Sequence, residues 1–77
     1  MPKPLHPLLG DIGARIRKMR ADKSWSQEEL ADRARVDRSY MSGIERGVRN
    51  VSVLTLAKVA RALGVPLDAL VRRGSGR

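Results

Sequence analysis

Apolar residues recur at helical spacing along most of the chain, and nowhere do they alternate with polar ones over the length of a strand. Between Asp11 and Asp22, Ile12, Ile16 and Met19 fall at i, i+4 and i+7, a one-sided stripe that leaves Arg15, Arg17, Lys18 and Arg20 on other faces. Ser26-Gln27-Glu28-Glu29 has the spacing of a capping box, in which the Ser26 hydroxyl accepts the Glu29 amide and the Glu29 carboxylate reaches back to the Ser26 amide. Trp25 and Leu30 flank that cap at the spacing of a hydrophobic staple. The second helix is therefore predicted to start at Gln27, to carry Leu30, Ala31 and Ala34 on its inner side and to end near Arg35. Asp37 caps a third helix, Arg38 to Arg46, with Met41 and Ile44 inward and Gly47 as its stop. Ser52 caps a fourth, with Val53, Leu56, Ala57, Ala60 and Leu63 running to Gly64, and Pro66 opens a last short helix from Leu67 to Val71. The pattern predicts an all-α domain of five helices.

Three prolines among the first seven residues deny helix hydrogen bonds, so residues 1–9 read as a flexible arm, with His6 an ordinary exposed residue within it. Residues 10–71 form the domain, and 72–77 a disordered basic tail. A chain of 77 residues has no room for a second core. With Trp25 and Tyr40 as the only aromatics, the core must be aliphatic, and dimerisation is a plausible further source of stability. The absence of cysteine excludes disulfides and thiolate metal sites. No signal peptide or membrane-length apolar run is present, so the expectation is a cytoplasmic protein with no membrane partner.

The net charge of +8 implies a polyanionic partner or simply high solubility. Its distribution sharpens this: residues 24–37 carry two basic and four acidic side chains, whereas 38–77 carry eight and two, so the middle segment is the least suited to lie along phosphates. From Gln27 to Arg46, two short helices are joined by about three residues, too few for an antiparallel hairpin, so they should cross steeply as a helix-turn-helix does. Leu30, Ala34, Val36, Met41 and Ile44 then face inward. Arg38, Ser39, Ser42 and Gly43, with Tyr40 beside them, are left free to enter a major groove.

The stretches Ile12-Gly13, Ile16 to Arg20, Ser26 to Ala31, Val36 to Gly47 and Leu56 to Val65 resemble the Xre/Cro family of helix-turn-helix regulators, which includes phage repressors. The resemblance covers roughly residues 10–71, and Asp37 to Asn50 looks particularly like the controller proteins of restriction-modification systems. It implies a five-helix, lambda-repressor-like DNA-binding domain. The function it implies is a transcriptional regulator that binds double-stranded DNA as a homodimer on an inverted-repeat operator, with helix 38–46 in the major groove. It implies that Gln27 meets a phosphate and that Arg38, Ser39, Tyr40 and Ser42 face base edges or adjacent phosphates. Arg46, Arg49 and Asn50 would grip the sugar-phosphate backbone in the following loop.

Chemistry agrees for Arg38, which can bind guanine O6 and N7 with two hydrogen bonds, although an arginine there can also touch phosphate alone. The serines are weaker candidates, and Tyr40 can pack on deoxyribose or simply cover the core edge. In relatives the positions of Arg20 and Glu45 form a partly buried ion pair, a structural role. Two residues depart from the family pattern: Gly43 stands where many relatives have a long polar side chain, and Arg35 stands where they usually have a glycine with positive φ. The dimer interface is expected at Leu54, Val65, Leu67, Leu70 and Val71.

Other classes fare worse. A single histidine, no cysteine and scattered acids give no basis for an enzyme, a metal, a cofactor or a small-molecule ligand. The alternative is an antitoxin or adaptor module that uses the same fold to bind protein.

Overall fold

The computed structural model describes residues 3–72, in five helices: α1 (Pro7–Asp22), α2 (Gln27–Ala34), α3 (Arg38–Arg46), α4 (Val53–Leu63) and α5 (Asp68–Val71). Among the described residues no helix is long and apolar enough to cross a membrane. The expected disordered tail lies outside them from residue 73 onward, while Arg72 is exposed and pairs with Asp68 at 3.3 Å.

The arm is shorter than the prolines suggested. α1 begins at Pro7 rather than Asp11, because proline at the first helical position gives up an amide that would have had no partner anyway. His6 is the cap: its Nδ1 accepts the Leu8 amide at 3.0 Å, a role the sequence reading missed. Ahead of it, the Leu5 amide donates to the Gly47 carbonyl at 2.9 Å, and the Pro4 ring lies against Gly10 and Gly47. Residues 4–6 are thus docked on the end of α3.

The core contains Ile12 and Ile16 from α1, Leu30, Ala31 and Ala34 from α2, Met41 and Ile44 from α3, Leu56, Val59, Ala60 and Leu63 from α4, and Leu70 from α5. In α4 the buried set Leu56, Val59, Ala60 and Leu63 is a full i, i+3, i+4, i+7 stripe. Val53, expected inside, is 69% exposed although it continues that stripe at i−3 from Leu56: it is the first residue of α4, where the stripe's end is left uncovered. Gly13 sets how closely α1 meets α3: a Cβ there would stand 2.5 Å from the carbonyl oxygens of Ile44 and Glu45.

Four helices end in one geometry. After each, a residue of positive φ is followed by an apolar residue whose amide returns to a carbonyl five positions back, the Schellman arrangement. Trp25, Val36, Val48 and Val65 make that bond to Arg20, Ala31, Gly43 and Ala60. The positive-φ residue is Gly47 after α3 and Gly64 after α4, but Ser24 (φ 60°) after α1 and Arg35 (φ 58°) after α2. At the start of α2, only half of the predicted capping box forms. Ser26 Oγ accepts the Glu29 amide at 3.0 Å, whereas the Glu29 carboxylate turns forward to Arg33 Nε at 2.7 Å, exchanging an amide for a charged donor one turn on.

Candidate nucleic-acid interface

The α3 helix is positioned from behind. Asp37 accepts the amides of Ser39 and Tyr40 at 2.9 and 3.2 Å, fixing where the helix starts. Met41, Ile44 and Glu45 are buried on its inner face. Glu45 is the one buried charged residue among those described, and it is fully engaged. Arg20 grips it with two parallel bonds, Nε to Oε2 at 2.7 Å and Nη2 to Oε1 at 2.9 Å, and sends Nη1 to the Trp25 carbonyl at 2.9 Å. The hydrogen bond to Glu45 raises the Arg20 pKa above its ordinary value, against the opposing effect of burial. Arg20 therefore stays charged while its grip on Glu45 ties α1 to α3.

Gln27 completes this network and links it to the surface. Its Nε2 donates to Glu45 Oε1 at 3.1 Å, and because a carboxylate only accepts, that contact fixes which end of the amide faces inward. One Nε2 hydrogen and the Gln27 backbone amide, at the open N-terminus of α2, are left without a helical partner. Both are donors, and a helix N-terminus favours an anion, so the position suits a phosphate oxygen.

In front of these groups lies a shallow cavity of about 220 Å³ lined by Gln27, Arg38, Ser39, Ser42 and Arg46. Five of the eight DNA-contact candidates are therefore brought together on one outward face. Arg38, Ser39 and Arg46 are exposed, and Ser42 is half-buried. Tyr40 is half-buried and packs on the core edge, with the Arg49 guanidinium 5.6 Å above its ring, so it borders the face rather than lining it. Asn50 is the outlier: it lines a separate hollow with Leu5, His6, Leu8 and Leu9.

Gly43 is not part of the exposed face, as the sequence suggested, but buried. The Arg49 side chain lies across it, and a Cβ at 43 would collide with Arg49 Cγ and stand 3.3 Å from its Nε. The missing side chain thus makes a path by which an arginine from the following loop folds back over α3 to Tyr40. Arg15, off the apolar stripe of α1, donates to the Leu70 carbonyl at 3.1 Å and holds α5 to α1. Among the interface candidates, Leu54 is 75% exposed and Val65, Leu67 and Val71 are half-buried, but Leu70 is fully buried in the core of a single chain. It has no surface to offer a partner, because α5 is folded onto α1 by that same side chain.

Residues 16–70 match the helix-turn-helix family HTH_3. The chain is 48% identical over 61 residues to the control protein C.BamHI of Bacillus amyloliquefaciens, covering 77% of this chain and 75% of that one. Its fold is similar to that of the crystallised restriction-modification controller protein C.AhdI of Aeromonas hydrophila (TM-score 0.78, 45% identity, covering 80% of this chain and 94% of that one). It is also similar to the biofilm regulator SinR in complex with DNA (TM-score 0.73, 43% identity, 77% and 95%). Coverage of full-length relatives varies: the chain spans 55% of SinR of Bacillus subtilis and 42% of the immunity repressor of Bacillus phage phi105. Those relatives are regulators and not enzymes by name, and they include repressors and controllers. The chain belongs to the helix-turn-helix family of DNA-binding transcriptional regulators.

Proposed function

We propose that this regulator acts in the cytoplasm as a homodimer, reading an inverted-repeat operator with α3 in the major groove. The observation that carries the reading is the outward cavity at the α2 N-terminus, where Gln27, Arg38, Ser39, Ser42 and Arg46 converge. Gln27 and Arg46 bring donors suited to phosphates. Arg38, at the first position of α3, has the reach for a guanine edge. Ser39 and Ser42 add short donors, Tyr40 borders a sugar or a thymine methyl, and Arg49 and Asn50 extend the phosphate contacts along the loop.

The dimer contact is assigned to Leu54, with Val65, Leu67 and Val71. The exposure of both Val53 (69%) and Leu54 (75%) at the start of α4 supports it, since adjacent bare aliphatics invite cover. Two-fold symmetry then places half-sites about one helical turn, roughly 34 Å, apart.

Selection from a randomised duplex library at about 150 mM salt tests the reading, because non-specific contacts are weakened there. The expected result is enrichment of an inverted repeat, with two chains per duplex by sedimentation. Recovery of duplexes without enrichment, or one chain per enriched site, contradicts it.

A further inference from the structure

A second cleft, of about 580 Å³, opens between α2 and α4 and is lined by Arg33, Arg35, Lys58 and Arg61 around a floor of Ala34 and Ala62. Four cations face it and no acid does. Arg33 is held in place: Glu29 binds its Nε at 2.7 Å, and its guanidinium stacks 4.3 Å from the Trp25 ring. Arg35, Lys58 and Arg61 form no ion pair among the described residues.

Helix-end electrostatics accounts for only part of this. Arg33 and Arg61 sit in the last turns of α2 and α4, where a cation complements the helix dipole. Lys58 lies in mid-helix, and Arg35 follows the end of α2 in the left-handed conformation. At the equivalent position, α3 and α4 use Gly47 and Gly64, and α1 the small, uncharged Ser24. A side chain there costs on the order of 1 kcal/mol, and this one is kept in a cleft beside the unpaired Lys58 and Arg61 and the Glu29-bound Arg33. That is the arrangement of a site whose counter-charge comes from outside.

We propose that the α2–α4 cleft docks an acidic, extended segment of another protein while α3 holds DNA. The two clefts share no lining residue, and on α2 Arg33 stands roughly 240° around the axis from Gln27. A partner can therefore occupy one without covering the other. The alanine floor leaves room for carboxylates to enter between the arginines, and bidentate pairing suits the three guanidinium groups.

A labelled hexaglutamate peptide is the probe, titrated by fluorescence anisotropy into the full chain, alone and saturated with operator duplex, which blocks the α3 face. Trp25, the single tryptophan, stacks under Arg33, which lines the cleft, and reports a change at that arginine independently. The expected result is peptide binding that survives duplex saturation. Arg35→Gly, and separately Lys58→Gln with Arg61→Gln, should each weaken it about tenfold, with duplex affinity and its salt slope unchanged. Displacement by duplex, equal binding by the variants, a reduced salt slope in the variants, or no binding would each overturn the proposal. The peptide is read in its own channel, so failure to select an operator is a separate result.

Discussion

The two faces of α3 are built from the same nine residues and do opposite work. On the inner face, Glu45 is bound by Arg20 and Gln27 with a side chain 1% exposed, and the Arg20 side chain is 17% exposed. On the outer face, Arg38, Ser39 and Arg46 reach into solvent. Ion pairs elsewhere show how much burial matters: Lys18–Asp22, at 3.6 Å with side chains 77% and 65% exposed, is the kind that contributes little. On the proposed reading, a substitution on the inner face is expected to abolish DNA binding by undoing the fold, whereas one on the outer face should change what is bound and leave the fold alone. Binding assays alone cannot separate these outcomes, but paired stability and binding measurements can.

The contrast can be broken in order of size. Glu45→Ala strands the Arg20 charge and is expected to lower the unfolding free energy by about 3–5 kcal/mol in urea titration, taking DNA binding with it. Gly13→Ala drives a methyl into the Ile44 and Glu45 carbonyls and should cost about 1–3 kcal/mol by the same assay, since backbone must move. Arg49→Ala belongs to the other class: stability should fall by no more than about 0.5–1 kcal/mol, the loss of the Tyr40 stacking, binding should weaken evenly across sequences, and the log-log salt slope should fall by about 1.8, one phosphate for each chain of the dimer. Arg35→Gly should raise stability by roughly 0.5 kcal/mol, the relief of left-handed strain less the extra freedom of glycine in the unfolded chain. A loss of stability there would mean that Arg35 makes a stabilising contact in the free protein.

The helix starts at Ser26, Asp37 and Ser52 were legible because each cap acts on an amide two or three residues away, and the structure forms all three. The start of α1 was not, because proline is both a helix breaker and a good first helical residue, and nothing local marks His6 as a cap. Leu70 was misplaced for a different reason: an apolar residue in a short last helix looks the same whether it fills its own core or a partner's. Gly43 makes sense only once Arg49 folds back over it, and the α2–α4 cleft only once two helices far apart in sequence are packed together. Local chemistry was readable; what depends on which surfaces meet was not.

The most direct test of the outer-face reading is duplex selection run in parallel with the unmodified chain and with Arg38→Ala. Both are expected to recover an inverted repeat and to melt alike. In the variant, one position in each half-site should lose its preference, worth about 1–3 kcal/mol, with the salt slope unchanged. An even loss of affinity across all sequences, with the base preferences intact, would contradict it and make Arg38 a phosphate contact.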